Sequence, residues 1–133
     1  MRDIKFPFLE HVGARLVESW EGYAKVALDV QEYHLQHLGF VHGGVISTLL
    51  DNTGWYAAMS MLEEGQTSVT MQINIDYLKP AKGADMICEA KVVKAGRSKS
   101  FVEIRMYDDK KNLVAFATGN YAVITPAPDR PEG

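Results

Sequence analysis

The sequence predicts an α+β fold in which an antiparallel sheet curls around one long helix. Residues 44–62 contain no proline, and their apolar residues recur at helical spacing over a wide arc, which indicates a helix covered on most sides. The chain that follows alternates apolar and polar residues with a period of two, as half-buried strands do. One or two strands before the helix and four long strands after it, in meander order, favour a sheet packed around the helix.

Three short elements are predicted before this helix. Residues 8–12 suit a helical lid that ends at Gly13, because glycine commonly terminates a helix. Strands are expected at 15–17 and 23–30, on either side of a turn at Glu21 and Gly22. Alternate residues give the second of these strands one apolar face, formed by Ala24, Val26, Leu28 and Val30.

The four strands after the helix follow the same logic. In the first, 68–77, the apolar face comprises Val69, Met71, Ile73, Ile75 and Tyr77, and Pro80 ends the strand. The second presents Met86, Cys88, Ala90 and Val92. The third and fourth, 99–107 and 113–124, flank a polar hairpin loop at 108–112. We expect one domain at 1–125 and a frayed, proline-rich tail at 126–133.

Composition narrows the class of protein. The chain has 133 residues, 47% of them hydrophobic, which suits one globular domain with its own core. A net charge of -3 and the lack of long Lys or Arg runs argue against nucleic-acid partners. Cys88 is the only cysteine, which suits a reducing cytoplasm, and no apolar run approaches the ~20 residues of a membrane span. Without a signal peptide at the N-terminus, we expect a soluble cytoplasmic protein.

The segment from Gln36 to Gly44, which leads into the helix, carries the strongest functional signal. Gly43 and Gly44 open the helix, so backbone N–H groups at its positive end are free to bind a negatively charged oxygen. Asp51 lies further along the same apolar helix, where a carboxylate has no obvious structural purpose. Together these features predict a site that stabilises an oxyanion and activates a nucleophile.

Spacing bears on how this site is assembled. Ser47, Thr48 and Asp51 line up as a polar stripe on the predicted helix. The Asp51 backbone lies roughly 12 Å along the axis from the Gly43 amide at about 1.5 Å rise per residue. A carbonyl bond measures only about 1.2 Å, so one substrate cannot easily use both groups of one helix. We therefore expect Gly43 of one protomer to meet Asp51 of another across a two-fold interface.

Three motifs in combination identify a family. They are the HGG sequence at 42–44, an acid nine residues after His42, and the strand 70–77 leading into Lys79-Pro80-Ala81. With these motifs, the span from about Phe8 to Ile124 resembles the hot-dog-fold thioesterases, in particular the phenylacetate-degradation type of acyl-CoA thioesterase.

The resemblance implies a role for each site residue. The Gly43 N–H is the oxyanion donor, the His42 side chain orients the loop, and Asp51 is the nucleophile or general base. Thr70 falls where the family often has a hydroxyl that positions the attacking water. The resemblance also implies a homo-oligomer, either a dimer or a dimer of dimers, and we expect no cofactor.

Gln36 departs from the phenylacetate type, which usually has Asn six residues before the HGG histidine. Related thioesterases acting on hydroxybenzoyl-CoA and dihydroxynaphthoyl-CoA carry Gln there but have Glu in place of Asp51. Either amide can donate to a thioester oxygen or hold a water, so Gln36 is expected to assist catalysis. The acyl or aryl preference of the CoA substrate stays open.

Substrate-binding residues are predicted at two further places. CoA phosphates need cationic and hydroxyl groups, which the turn Gly96-Arg97-Ser98 supplies, because the glycine frees the turn and Arg97 can bind phosphate in bidentate fashion. Lys82 and Lys99 are weaker candidates. Trp55, one turn beyond Asp51, is expected to line the acyl pocket, and Gly44 belongs to the oxyanion loop.

Less specific interpretations exist for the same residues. The two glycines fit a tight helix entry that needs positive φ, Asp51 a structural acid, and Thr70 an outward-facing strand hydroxyl. His34, His37 and His42 match no strong metal-ligand spacing, and we expect no metal. An acyl-CoA sensor or a hydratase on the same scaffold are the competing functions. A sensor needs no nucleophile, and a hydratase needs an acid/base pair that His42 alone does not supply.

Overall fold

The long helix near the middle of the chain organises the structure. The computed structural model describes residues 6–126, in which α2 (Gly43–Met59) follows α1 (Pro7–Val12), β1 (Arg15–Trp20), β2 (Tyr23–Asp29) and a short 3-10 turn (Glu32–His34). Four strands come after the helix: β3 (Thr67–Tyr77), β4 (Asp85–Ala95), β5 (Lys99–Asp108) and β6 (Leu113–Ile124). The predicted α+β class is confirmed. Of the predicted tail, only Pro126 lies among the described residues, and it follows β6 as coil.

The strand order differs from the predicted meander. All strand pairs are antiparallel, in the order β1-β2-β4-β5-β6-β3. The chain therefore leaves β3 at one edge of the sheet, passes two strands and re-enters as β4 beside β2. The prediction of a complete meander was wrong because period-two alternation identifies a strand but carries no information about its partner. Of the four strands after the helix, only β4, β5 and β6 are consecutive neighbours.

The core lies between α2 and one face of the sheet. The helix is apolar around most of its circumference, as predicted, and its buried residues are Ile46, Leu49, Leu50, Thr53, Gly54, Tyr56, Ala57 and Ala58. They pack against fully buried side chains of the central strands, including Val26, Leu28, Met86, Cys88, Val102, Ile104 and Met106. Each large apolar side chain buried in this way contributes about 1.5–3 kcal/mol. Among residues 6–126, no helix combines the length and apolarity needed to cross a bilayer.

The helix ends three residues earlier than predicted. The amides of Met61 and Leu62 bond to the carbonyls of Ala58 and Met59, three residues back, so the last turn is tighter than an α-helix. The Ser60 hydroxyl is held between the Ala57 carbonyl and the Gly22 amide. This contact fastens the C-terminal end of α2 to the β1-β2 turn.

A β-bulge in β3 changes which side chains face the helix. Thr70 pairs with Tyr121 and Gln72 with Asn120, so Met71 is the extra residue. Before the bulge Ser68 is buried and Thr70 points towards α2, whereas after it Ile73 and Ile75 pack on the core. The prediction that Val69 and Met71 share the face of Ile73 and Ile75 was wrong, because a bulge shifts the alternation by one residue. Val69 and Met71 are exposed instead.

Candidate active site

His42 caps the N-terminus of α2 and thereby determines which amides remain open. Its Nδ1 accepts from the Gly44 N–H at 2.8 Å, and its carbonyl accepts from Val45 and Ile46 at 2.9 and 3.2 Å. The Gly43 N–H has no acceptor among residues 6–126. An unpaired amide at the positive end of a 17-residue helix is a donor suited to an anionic oxygen.

Gly43 and Gly44 differ in what an added side chain would contact. Neither has a positive φ, so the interpretation of a strained helix entry was wrong. A Cβ on Gly44 would lie 3.0 Å from His42 Nδ1 and would disturb the capping bond. A Cβ on Gly43 would lie 3.7 Å from the Tyr77 ring, an ordinary contact, so packing within the chain does not require glycine there.

Asp51 is oriented by a hydroxyl from β3. It lies in the middle of α2 and is half-buried. Thr70 Oγ1 donates to its Oδ1 at 2.6 Å, so the interpretation of Thr70 as an outward-facing hydroxyl was wrong. Oδ2 has no hydrogen-bond partner among residues 6–126. One carboxylate oxygen is thus fixed, while the other is available to a water or a substrate.

A cavity of about 170 Å³ adjoins Asp51. Phe6, Asn52, Trp55 and Thr70 complete its lining. The Trp55 indole is held by a bond from Nε1 to the Ser68 carbonyl at 2.7 Å and by an edge-to-face contact with Phe6, with ring centroids 5.1 Å apart. The cavity therefore combines a polar wall with a rigid aromatic one. Trp55 lies where the sequence predicted it, whereas Phe6 and Asn52 were not anticipated.

Tyr121 is a further neighbour of Asp51 that the sequence did not indicate. Its hydroxyl lies 3.0 Å from the Asp51 carbonyl and 3.4 Å from Oδ1, and its side chain is fully buried. Burial first, and then the nearby Asp51 carboxylate, raise the pKa of the Tyr121 hydroxyl well above its ordinary value, so it stays protonated and remains a donor. A signal existed in Gly54 and Gly119, since glycine inside a helix or strand often marks a close approach.

Gln36 lies in a tight loop ahead of the HGG sequence. Its side-chain oxygen accepts from the Leu38 and Phe40 amides, which leaves the Nε2 group to donate elsewhere. A bridge between Leu35 and Val41 closes the loop. The loop geometry thus holds the backbone of Gln36 in place.

The loop depends on His34, whose ring is buried. Nδ1 accepts from the Gln31 N–H at 2.9 Å and Nε2 donates to the Val12 carbonyl at 2.6 Å. The His34 carbonyl accepts from the His42 amide at 2.8 Å, which joins this ring to the HGG sequence. His34 therefore has a structural role.

Replacing His34 with alanine is expected to lower the free energy of unfolding by about 2–3 kcal/mol, because the Gln31 amide and the buried Val12 carbonyl lose their partner. Urea unfolding followed by circular dichroism measures this change. His37→Ala is the matched control, since His37 is exposed in the same loop. Equal stability of the two variants would contradict the role of the buried ring.

Two of the three histidines near the helix entry, His34 and His42, form hydrogen bonds with the backbone through their rings. Both ring nitrogens of His34 are hydrogen-bonded to backbone groups. Burial raises the pKa of the Cys88 thiol to about 12, which keeps the thiol protonated. Within residues 6–126, no three His, Cys, Asp or Glu side chains gather closely enough to hold a metal ion.

The predicted phosphate-binding turn lies far from Gly43 within one chain. Gly96, Arg97 and Ser98 are exposed between β4 and β5. Val92 of β4 bonds to Gly22, which is fastened to the C-terminal end of α2, and the turn lies beyond Val92. Gly43 is at the other end of this helix, roughly 25 Å away along the axis. The structure brings Asp51, Thr70 and Trp55 together, but it does not bring this turn to Gly43.

Comparisons with known proteins show which family the chain belongs to. The thioesterase superfamily model matches residues 38–115, more than half of the chain. Human acyl-coenzyme A thioesterase 13 is 34% identical over 90 residues, which cover 67% of this chain and 64% of that protein. The BH2602 protein from Bacillus halodurans, in a crystal structure with CoA, aligns with a TM-score of 0.74 and 34% identity over 75% of this chain and 66% of that one.

The fold is also that of the Escherichia coli PaaI protein from the phenylacetic acid degradation operon, with a TM-score of 0.83 and 24% identity over 90% of this chain and 85% of that one. The antiparallel sheet and its central helix therefore form a hot-dog fold. The chain belongs to the thioesterase superfamily, and it is a thioester hydrolase. The predicted resemblance is confirmed.

Proposed function

We propose that this thioesterase hydrolyses the thioester of an acyl- or aryl-CoA to a free acid and CoA. The observation that carries the proposal concerns helix α2. The Asp51 carboxylate has one oxygen available and adjoins an aromatic-lined cavity, and the same helix begins with an unpaired amide at Gly43. The similarity to human acyl-coenzyme A thioesterase 13 and to a protein whose structure is with CoA supports CoA as the leaving group.

The proposal assigns each site to two protomers. Gly43 and Asp51 are eight residues apart on α2, roughly 12 Å along the axis, which is too far for one carbonyl group. Strand β3 ends the sheet in the described chain, and an edge strand can pair with a second copy. Val69 and Met71 are 52% and 69% exposed there, which adds apolar surface for a partner to cover.

A two-fold axis across β3 would serve the chemistry. Antiparallel pairing reverses the second strand, so the end that carries Tyr77 can lie beside the part of the partner's β3 that carries Thr70. Tyr77 donates to the Gly43 carbonyl and Thr70 donates to Asp51, so the open amide of one copy meets the carboxylate of the other. We therefore propose that the protein forms a homodimer, or a dimer of such dimers.

The reversed direction of the partner's β3 also affects where the CoA phosphates can bind. Ser98 is tied to Val123 near the start of β3, whereas Gly43 lies near its end. Two-fold pairing places the partner's turn at 96–98 on the side of Gly43, so we assign the phosphates to Arg97 with Gly96 and Ser98 of the partner subunit. The acyl group then occupies the cavity beside Trp55.

The proposed reaction begins with the thioester carbonyl oxygen accepting from the Gly43 N–H, while Gln36 Nε2 holds the substrate or a water. His42 keeps the loop in position. In one route Asp51 takes a proton from a water positioned with Thr70, the oxygen adds to the carbonyl carbon, and the C–S bond breaks to give CoA thiolate. In the other, Asp51 adds directly to the carbonyl carbon, the C–S bond breaks to release CoA thiolate, and water then hydrolyses the anhydride that has formed. Either route consumes one water, and the thiolate takes up a proton.

The experiment that tests this function is a thiol-release assay with short-chain, medium-chain, long-chain and aryl acyl-CoAs. We expect thiol release from at least one of these classes, and slower turnover of the matching acyl-pantetheine, which lacks the nucleotide. Binding without thiol release would contradict the proposal in favour of a sensor. A change in enoyl absorbance without thiol release would contradict it in favour of a hydratase.

Mixed dimers test the shared site. A heterodimer of Asp51→Asn and Gly43→Pro protomers, purified through two different affinity tags, contains one site with both groups intact and one with neither. We expect about half of the wild-type turnover per dimer, although each variant alone is nearly inactive. An inactive heterodimer would place the whole site in a single chain and overturn the shared arrangement.

A further inference from the structure

We propose that Tyr121 is a positioning residue that holds the Asp51 carboxylate for reaction and acts through its hydroxyl group, without touching the substrate. This inference rests on the proposed function of Asp51. It concerns a residue on β6, 70 positions away in the chain from the acid that it orients.

The first argument is the convergence of two hydroxyls on one acid. Thr70 and Tyr121 are directly paired across β3 and β6, so their side chains leave the same face of the sheet side by side. Thr70 donates to Oδ1 at 2.6 Å, and the Tyr121 hydroxyl lies 3.4 Å from the same atom. It lies 3.0 Å from the Asp51 carbonyl as well, so it bridges the backbone and the side chain of one residue.

This arrangement restricts the carboxylate. With Oδ1 held between the helix backbone and the sheet, rotation of the carboxylate is limited and Oδ2 is left for the reaction. A group that must attack or take a proton reacts fastest when it is held in that geometry beforehand. Tyr121 itself is fully buried and does not line the cavity beside Asp51, so it acts on the acid alone.

The second argument is the space reserved for the phenol. A Cβ on Gly54 would lie 2.1 Å from the Tyr121 hydroxyl oxygen, and a Cβ on Gly119 would lie 2.7 Å from its ring. Glycine weakens the interior of a helix or a strand. Two such positions, one in α2 and one in β6, are kept open at the place where the phenol reaches Asp51. The contact to Gly54 involves the hydroxyl oxygen itself, so the space left by the two glycines fits tyrosine rather than phenylalanine.

The test is Tyr121→Phe, which removes only the hydroxyl. We expect kcat to fall about tenfold, the loss typical of one hydrogen bond to a charged group, with KM within about twofold of wild type. Circular dichroism and urea unfolding confirm that the variant is folded. Tyr56→Phe is the matched control, since Tyr56 is a buried tyrosine of α2 that packs on Phe6 and Trp55, and its kcat should not change.

A second measurement separates positioning from a general structural effect. If Tyr121 acts through the acid, Tyr121→Phe should lower the activity no further in an Asp51→Asn background. A wild-type kcat for Tyr121→Phe, or an equal fractional loss with and without Asp51, would overturn the inference. Neither result would touch the proposed function, which fails instead if wild-type protein releases no thiol or if Asp51→Asn is fully active.

Discussion

Asp51→Asn is expected to lower kcat for thiol release by about 10²–10⁴-fold, the contribution typical of a positioned general base. The amide has nearly the same shape and keeps an oxygen that accepts from Thr70, so the fold should persist. It can neither take a proton from water nor attack the thioester. Initial rates at saturating acyl-CoA, measured on protein checked by circular dichroism, give the change.

Asp29→Asn is the control for this substitution. Asp29 is an exposed carboxylate that pairs with Arg15 at 3.1 Å on the surface, where such a pair adds little stability. The control should keep the wild-type rate. Near-normal hydrolysis by Asp51→Asn would reject Asp51 as nucleophile or base and would direct attention to another activator of water.

Gly43→Pro is expected to lower kcat by about 10²–10³-fold, as loss of an oxyanion donor does. Proline removes the Gly43 N–H, which has no acceptor among residues 6–126, and it is well tolerated in the first turn of a helix. His42 already has φ -60° and ψ 137°, the extended conformation that a residue before proline prefers. The substitution should therefore delete the donor and keep the helix.

Gly43→Ala separates this effect from added bulk. Its amide is retained and its Cβ would lie 3.7 Å from the Tyr77 ring, so we expect much higher activity than for the proline variant. Circular dichroism checks the helix content of both proteins, and thiol release gives their rates. Equal activity of the alanine and proline variants would contradict oxyanion stabilisation by this N–H.

The positions of the elements were largely predictable because they depend on local periodicity. The apolar arc of α2 and the alternation along β4, β5 and β6 appear in the chain itself, and their bounds agree within a few residues. The pairing of β3 with β6 was not predictable, because partners that lie 38 to 57 residues apart in the chain leave no local pattern. The tight last turn of α2 depends on the contact between Ser60 and Gly22, which is equally non-local.

The residues of the proposed site also differ in whether local sequence was enough to predict them. Gly43, Gly44 and Asp51 were visible because a glycine pair and a lone carboxylate interrupt an apolar helix. A place for Thr70 in the site was only one of two interpretations, since a strand residue can face either way until its register is known. Tyr121 was missed because its relation to Asp51 exists only once β6 pairs with β3.

The bulge in β3, rather than the chemistry of Met71, is what lets Thr70 and the apolar pair Ile73 and Ile75 face the helix together. In a regular strand of the same length, the hydroxyl at Thr70 and the apolar pair at Ile73 and Ile75 would leave opposite sides of the backbone, because they lie an odd number of residues apart. One of the two would then be turned away from the helix. Exchange of the outward-facing Met71 side chain should be tolerated, and deletion of that single residue should restore a regular strand in which Thr70 and Ile73 still face the helix.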